Sequence, residues 1–291
     1  MAVVALLIGS LSLSPPSAQA QQSNILVVAT PNPFYKVFVD AFKKDFPGTD
    51  VNVVFKGTTD VLKQVRAEKD KPSVDVWWGG GIDAFETARK EDLLQKVTID
   101  STESNEALRF IPKELAGLPL YNDGGFYYGY TIGGFGIMWN TKYMTDNKLP
   151  EPKEWPDLTN AIYRKHVFMA DPAKSGSTLA IVEIVLQGMG WNDGWRLLKE
   201  ISANVAAFAP RSSEVPDLVA RGDYGVGLVI DFFAFQTQQK GAPVKFVYPT
   251  LTIFNADSVA LMKGAPNQEL GRKFINWLLS KNLVALTSVV K

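Results

Sequence analysis

The sequence contains no cysteine and a single histidine, and these two absences remove several kinds of chemistry. Without cysteine there are no disulfides, no thiolate metal ligands and no thiol nucleophile. The one histidine, His166, has no cysteine or second histidine with which to share a metal ion. A structural role is therefore expected for it, and no metal site is predicted.

Net charge and long hydrophobic runs are also lacking. Lys plus Arg and Asp plus Glu each number 30 among 291 residues, so the formal net charge is zero. No overall electric field then favours nucleic acid or an anionic membrane, and neither is expected as a partner. With 46% hydrophobic and 21% charged residues, the composition is that of a globular protein.

The N-terminal segment resembles an export signal. An apolar run to Leu13 is too short to span a membrane and is followed by Ser-Pro-Pro and then by Ala18-Gln19-Ala20, an A-x-A pattern. We expect residues 1–20 to be a signal peptide that is cut after Ala20, and the mature protein to be periplasmic. The alternative is an N-terminal segment that is disordered or buried.

From Asn24 onwards, strand-like and helix-like patterns alternate. The predicted strands of this first part are short apolar runs at 25–30, 51–55 and 74–78. The predicted helices that follow them lie at 34–46, 60–70 and 82–94. Alternating elements of these lengths favour parallel strands joined by crossover helices, and therefore an α/β fold.

A second set of elements follows a long aromatic stretch. Residues 125–144 are interrupted by glycine, and we expect extended strands there that run from one lobe into another. Strands are predicted at 166–172 and 224–230, and helices at 177–190, 193–204, 213–223 and 267–281. Residues 244–264 are expected to form the return crossing, which gives lobes of 24–128 with 249–291, and of 129–248.

Polar and glycine-rich turns occur where predicted strands give way to helices. In an open α/β sheet, ligands bind beyond the carboxyl ends of strands, where helix starts offer amides with partial positive charge. The candidate ligand-binding residues at these turns are Thr30, Asn32, Thr58, Thr59, Gly79, Gly80, Ser175, Gly176, Ser177, Thr178, Ser212 and Ser213. Helix capping alone explains any one such turn. Several of them from both halves indicate an amide-lined cleft for phosphate, phosphonate or carboxylate.

Three further residues complete the candidate site. Arg211 is a cation that can clamp an oxyanion with two hydrogen bonds. Asp231, at the end of a predicted strand, can accept hydrogen bonds from hydroxyls or an amine. In the stretch WWGGG at 77–81, strand alternation lets only one tryptophan face a ligand, and Trp78 is included in the site. The alternative is that both indoles pack in the core.

Several stretches together resemble the periplasmic solute-binding proteins of ABC importers, in the cluster that contains ferric-ion, thiamine, phosphonate, phosphoglycerate and hexose-phosphate binders. The similar stretches include ILVVATPNPFYKVFVDAFKKDF at 25–46, SVDVWWGGG at 73–81, MADPAKSGST at 169–178 and SSEVPDLVARGDYGVGLVIDFF at 212–233. The resemblance implies a two-lobed, type II periplasmic binding protein. Each lobe would be a mixed, mostly parallel sheet flanked by helices, and crossing hinge strands would join the lobes. Such a protein closes over one solute and docks on a membrane permease.

We therefore expect a monomeric binding protein without a cofactor that captures a small anionic solute, and not an enzyme. A ferric-ion binder is the first alternative. The resemblance implies adjacent tyrosines for iron just after the strand at 224–230, where this sequence has Phe232 and Phe233, and phenyl rings cannot coordinate a hard cation. An exported α/β hydrolase is a further alternative, but the G-x-S-x-G and H-E-x-x-H motifs are both missing.

Overall fold

A computed structural model describes residues 24–99, 113–115 and 118–280. The predicted signal peptide and its cleavage site after Ala20 lie outside these residues. The strands are β1 (Ile25–Thr30), β2 (Asp50–Phe55), β3 (Val76–Gly81), β4 (Leu94–Gln95), β5 (Glu114–Leu115), β6 (Leu118–Pro119), β7 (Tyr128–Asn140), β8 (Val167–Ala170), β9 (Val205–Ala209), β10 (Val226–Ile230), β11 (Val244–Val247) and β12 (Phe254–Met262). The helices are α1 (Tyr35–Asp45), α2 (Thr58–Ala67), α3 (Ile82–Lys90), α4 (Thr141–Asp146), α5 (Gly176–Met189), α6 (Trp191–Asn204), α7 (Val215–Arg221), α8 (Asp231–Gln239) and α9 (Gln268–Leu278).

The first sheet has the strand order β2-β1-β3-β12 and ends on the N-terminal half of β7. Strands β1, β2 and β3 are parallel, whereas β12 is antiparallel to both of its neighbours. Parallel pairing of successive strands requires crossovers, which α1 and α2 supply. The carboxyl ends of β1, β2 and β3 therefore share one edge of the sheet with the starts of α1, α2 and α3.

The second sheet has the order β7-β10-β8-β9, and β11 pairs with the other side of β7. Strands β8, β9 and β10 are parallel to one another, and β7 is antiparallel to β10. Their carboxyl ends lead into α5, into the short turn before α7, and into α8. This sheet thus also presents one edge made of strand ends and helix starts.

Strand β7 joins the two sheets. Its Gly134 pairs with Phe254 of β12 in the first sheet, and the next residue, Phe135, pairs with Ile230 of β10 in the second. The chain returns through residues 248–253, between β11 and β12. These two crossings were predicted from the aromatic stretch at 125–144 and from residues 244–264.

The hydrophobic core divides at the same crossings. The buried residues of one cluster lie within 26–128 and 256–279, and those of two further clusters lie within 135–244. We call the first group lobe 1 and the second group lobe 2. The boundaries drawn from the sequence, at 128/129 and 248/249, stay a prediction.

The mixed α/β fold is confirmed, and three local predictions need correction. Strand β9 and helix α8 were not predicted, and α8 begins at Asp231 directly after β10. Strand β3 continues through Gly79, Gly80 and Gly81, which were expected to form a turn after the strand. Within this strand Gly79 and Gly80 adopt φ values of 99° and 115°, which other residues rarely reach.

Trp77 and Trp78 both lie in the core of lobe 1, so Trp78 does not form the predicted ligand wall. Each has 0% of its surface exposed. Trp77 stacks on Phe85 of α3 with ring centroids 4.4 Å apart, and Trp78 packs edge-on against Phe38 of α1 at 5.1 Å. Because helices cover both faces of this central strand, side chains of both parities are buried.

Candidate ligand-binding cleft

A cavity of about 430 Å³ lies between the lobes, a volume that suits a small molecule. The predicted site residues that line it are Asn32, Thr58, Gly80, Ser175, Gly176, Ser177, Arg211, Ser212 and Ser213. The predicted residues that do not line it are Thr30, Thr59, Trp78, Gly79, Thr178 and Asp231. The lining residues come from both lobes, as expected for strand ends that face each other.

Two of the residues outside the lining shape the walls from behind. The buried Thr30 accepts the N–H of Asn32 through its Oγ1 at 3.0 Å, which orders the turn after β1. Thr178 is buried under the cap of α5, where the Ser175 hydroxyl accepts its N–H at 3.4 Å. Thr30 thus orders the turn before α1, and Thr178 supplies the N–H that Ser175 caps at the start of α5.

Thr58 is wedged between the two lobes. A Cβ atom on Gly80 would lie 2.6 Å from Thr58 Cγ2, and one on Gly176 of lobe 2 would lie 2.8 Å from Thr58 Cβ. Lys63 adds a hydrogen bond between the lobes, from its Nζ to the carbonyl oxygen of Ala173 at 2.9 Å. The lobes are therefore in contact in this structure, and the cavity lies between them.

The wall of lobe 2 is rich in hydrogen-bond donors. The first amides of a helix have no partner within the helix, and the described residues form no other hydrogen bond with the N–H groups of Gly176 and Ser177. The hydroxyl of Ser212 lies 3.4 Å from that of Ser177, which brings the turn before α7 next to the start of α5. Amides and hydroxyls from two turns thus converge on one part of the cavity.

Arg211 is the only lysine or arginine among the described residues that line the cavity. Its Nη2 forms an ion pair with Glu214 at 2.6 Å, and its guanidinium lies 5.0 Å from the ring centroid of Phe55 in lobe 1. Its Nε is buried and has no hydrogen-bond partner in the described part of the chain. A buried donor without a partner costs about 1–3 kcal/mol, which a bound oxyanion would offset.

The wall of lobe 1 contains the carboxylates of Asp83 and Asp257, which were not among the predicted site residues. Asp257 of β12 accepts the N–H of Gly80 at 3.2 Å, and Asp83 of α3 accepts the side-chain amide of Asn255 at 3.0 Å. The pairing of β12 with β3 and with β7 shifts register next to Asp257, where each partner strand has one extra residue, as in a β-bulge. Burial, together with weaker effects of the charges on Asp83 and Asp231, raises the pKa of Asp257 to about 6.

Aromatic rings form much of the remaining surface of the cavity. The lining includes Phe34 from lobe 1, Tyr130 of β7, which packs against the core of lobe 1, and Phe232, Phe233 and Phe235 from α8 of lobe 2. The hydroxyl of Tyr130 is buried near Asn32 and Trp78 but forms no hydrogen bond of ordinary geometry with either. This hydroxyl is therefore a buried polar group without a hydrogen-bond partner in the described part of the chain.

Asp231 lies beside the cavity, and its position corrects the predicted role in ligand binding. Its carboxylate accepts the N–H of Gly134 at 2.8 Å, the hydroxyl of Tyr248 at 2.8 Å and the N–H of Phe232 at 2.6 Å. Gly134 belongs to the outgoing crossing and Tyr248 to the returning one. Because α8 starts at Asp231 without an intervening turn, the carboxylate faces these crossing segments and connects them.

The described ranges contain neither a cluster of metal-ligating side chains nor a helix suited to cross a membrane. His166 lies outside the cavity lining, and its Nδ1 is 2.8 Å from the hydroxyl of Tyr143. The described residues contain no group of three or more His, Cys, Asp or Glu side chains placed to hold a metal ion. None of their helices combines the length and apolar character needed to cross a membrane.

Residues 71–289 match the sequence profile of the bacterial extracellular solute-binding proteins. The chain belongs to this family. An uncharacterized protein of Haemophilus influenzae is 30% identical to it over 284 residues, which are 95% of this chain and 78% of that protein. The phosphoglycerate transport regulatory protein PgtC of Salmonella typhimurium is 31% identical over 149 residues, but these are 51% of this chain and only 37% of PgtC.

Solved structures of periplasmic binding proteins share the fold of this solute-binding protein. AfuA from Actinobacillus pleuropneumoniae, solved with exogenous fructose-6-phosphate bound, superposes with a TM-score of 0.79 at 23% sequence identity. The superposition covers 89% of this chain and 80% of AfuA. The two-lobed architecture that the resemblance implied is therefore confirmed.

Proposed function

We propose that this solute-binding protein is the periplasmic receptor of an ABC importer. It captures a small anionic solute between its lobes, with a phosphate, phosphonate or carboxylate group, and delivers the solute to a membrane permease. The observation that carries this proposal is the buried, unpaired Nε of Arg211, in the same wall as the helix-start amides of Gly176 and Ser177. A guanidinium and helix-start amides both favour an oxyanion.

Two of the similar proteins support the solute class. The name of PgtC refers to phosphoglycerate transport, and AfuA was solved with a sugar phosphate. Both solutes are phosphorylated and small enough for a cavity of this size. Capture requires only that the solute bind the closed arrangement of the lobes better than the open one, so the proposed receptor is a monomer that performs no covalent chemistry and needs no cofactor. Export through the signal peptide at 1–20 would place it in the periplasm.

Thermal unfolding in the presence of candidate solutes tests the proposal. The candidates are sugar phosphates, phosphonates, dicarboxylates, thiamine and Fe(III). We expect at least one anion to raise the unfolding midpoint, because a ligand present at 100 times its Kd stabilises the folded state by about 2.7 kcal/mol. A rise with ferric salts alone would contradict the anion proposal and favour the ferric-ion alternative.

The substitution Arg211→Ala tests the residue on which the proposal rests. We expect it to weaken the binding of the best anion by about 1.5–3 kcal/mol, the range for a charge-assisted hydrogen bond, as measured by calorimetric titration. Arg221→Ala is the matched control, since Arg221 pairs with Asp223 at 2.6 Å and lies outside the cavity lining. If Arg211→Ala bound the anion as tightly as the wild type, Arg211 would not be a ligand-binding residue.

A further inference from the structure

The two walls of the cavity differ in the sign of their charge. Lobe 2 contributes Arg211, whereas lobe 1 contributes the carboxylates of Asp83 and Asp257. Two more carboxylates are close to that wall. Burial and the charge of Asp83 raise the pKa of Glu183, and Asp231 adds to the negative charge around Asp257. A solute with only negative groups would meet repulsion on this side of the cavity.

Asp257 is placed to accept a hydrogen bond from a ligand. Its Oδ1 accepts the N–H of Gly80, while its Oδ2 has no partner in the described part of the chain. The register of β12 shifts next to Asp257, where β3 and β7 each have one extra residue, and the Asp257 side chain lines the cavity. No lysine or arginine from the described residues pairs with it, although a partly buried carboxylate is stabilised by a neighbouring cation.

Aromatic rings stand in the same cavity as these carboxylates. The rings of Phe34 in lobe 1 and Phe232 in lobe 2 approach each other edge to face, with centroids 6.5 Å apart. Tyr130 lies close enough to Asp257 for that charge to raise its pKa, which burial already raises strongly. Aromatic faces attract organic cations, and a carboxylate beside them provides the opposite charge.

We infer that the lobe-1 wall is a subsite for an ammonium group and that the captured solute is a zwitterion. The oxyanion of the solute binds the amides and Arg211 of lobe 2, and its amine donates a hydrogen bond to Oδ2 of Asp257. Asp83 adds negative charge at the same wall. This inference rests on the proposed capture of an oxyanion and adds the second charged group that the solute must carry.

Two matched pairs of compounds test the ammonium subsite by calorimetric titration. O-phosphoethanolamine is compared with ethyl phosphate, and 2-aminoethylphosphonate with ethylphosphonate, so that only the amine differs within a pair. In at least one pair, we expect the wild type to bind the compound with the amine about tenfold or more tightly than the compound without it. In Asp257→Asn, which keeps the shape and removes the charge, this preference should fall to less than about threefold.

Control variants separate the subsite from general effects of charge. Asp60→Asn removes a carboxylate from α2 outside the cavity lining, and it should keep the full preference. Asp83 is an exposed residue of the lining, and Asp83→Asn should lower the preference in part. If Asp257→Asn does not fold, Asp83→Asn takes its place as the test variant.

The outcomes distinguish this inference from the proposed function. Equal affinity of the wild type for both members of each pair would overturn the ammonium subsite and leave anion capture standing. A preference that survives in both Asp257→Asn and Asp83→Asn would overturn the role given to this wall. Binding of none of the four compounds would overturn the zwitterion inference, whereas a rise of the unfolding midpoint with another anion would leave anion capture standing.

Discussion

Replacing Gly57 by alanine is expected to weaken solute binding by about 100-fold or more while leaving both lobes folded. A Cβ atom on Gly57 would lie 2.2 Å from the carbonyl oxygen of Lys174, and these two residues belong to different lobes. Gly57 has φ −64° and ψ 151°, a conformation that alanine adopts without strain. The clash therefore exists only when the lobes are closed. A 100-fold loss corresponds to about 2.7 kcal/mol of bias against that closed arrangement.

Calorimetric titration with the best anion from the solute screen measures this loss, and small-angle scattering in the presence of the anion shows whether the lobes close. The control is Thr59→Ala, two residues further along the same helix start and outside the cavity lining. We expect Thr59→Ala to bind like the wild type. Wild-type affinity in Gly57→Ala would mean that capture does not need this close approach of the lobes. A loss of affinity in Thr59→Ala would mean that Thr59 takes part in solute binding, as first predicted.

The wall of lobe 2 could be predicted from the sequence because it follows a general rule of parallel sheets. Ser175 and Ser177 follow β8, and Arg211 and Ser212 precede α7 after β9, so neighbouring strand ends bring them together. The strand β9 itself was missed, since its sequence VAAFA at 205–209 is short and alternates weakly. Its turn was nevertheless recognised, because hydroxyl residues before a helix are a local signal.

The wall of lobe 1 could not be predicted in the same way, because it depends on pairing between distant segments. Asp257 lies in the middle of β12, not at a strand end, at the point where the pairing with β3 and β7 shifts register. Both partner strands lie more than 100 residues earlier in the chain. The one available signal was an ionisable residue within the run ADSVALM at 256–262, but the sequence does not show which face of the strand it occupies.

The amino-acid composition also does not show how charge is distributed in the folded protein. A formal net charge of zero is compatible with a cavity of either sign. The folded chain places Arg211 in one wall and Asp83 and Asp257 in the other, so the local field changes sign across a space of about 430 Å³. For this reason the residues at strand ends predicted an anionic solute, and the second, negative wall is evident only in the folded protein.

Replacing Asp231 by alanine is expected to lower the free energy of unfolding by about 2–4 kcal/mol, since hydrogen bonds to a charged group contribute about 1.5–3 kcal/mol each and are not additive. The carboxylate is buried and accepts three hydrogen bonds, two of which come from the separate crossing segments at Gly134 and Tyr248. Its removal leaves the buried N–H of Gly134 without an acceptor. Urea denaturation followed by tryptophan fluorescence measures the change.

Tyr248→Phe is the matched comparison, because it removes one of the same hydrogen bonds and keeps the carboxylate. We expect it to cost about 1 kcal/mol, clearly less than Asp231→Ala. If Asp231→Ala were no less stable than Tyr248→Phe, the connection between the two crossings would contribute nothing beyond the tyrosine contact. If instead Asp231→Ala kept wild-type stability and lost solute binding, the role in ligand binding first predicted for Asp231 would be restored. The two readouts, stability and affinity, therefore separate a residue that connects the crossings from one that contacts the solute.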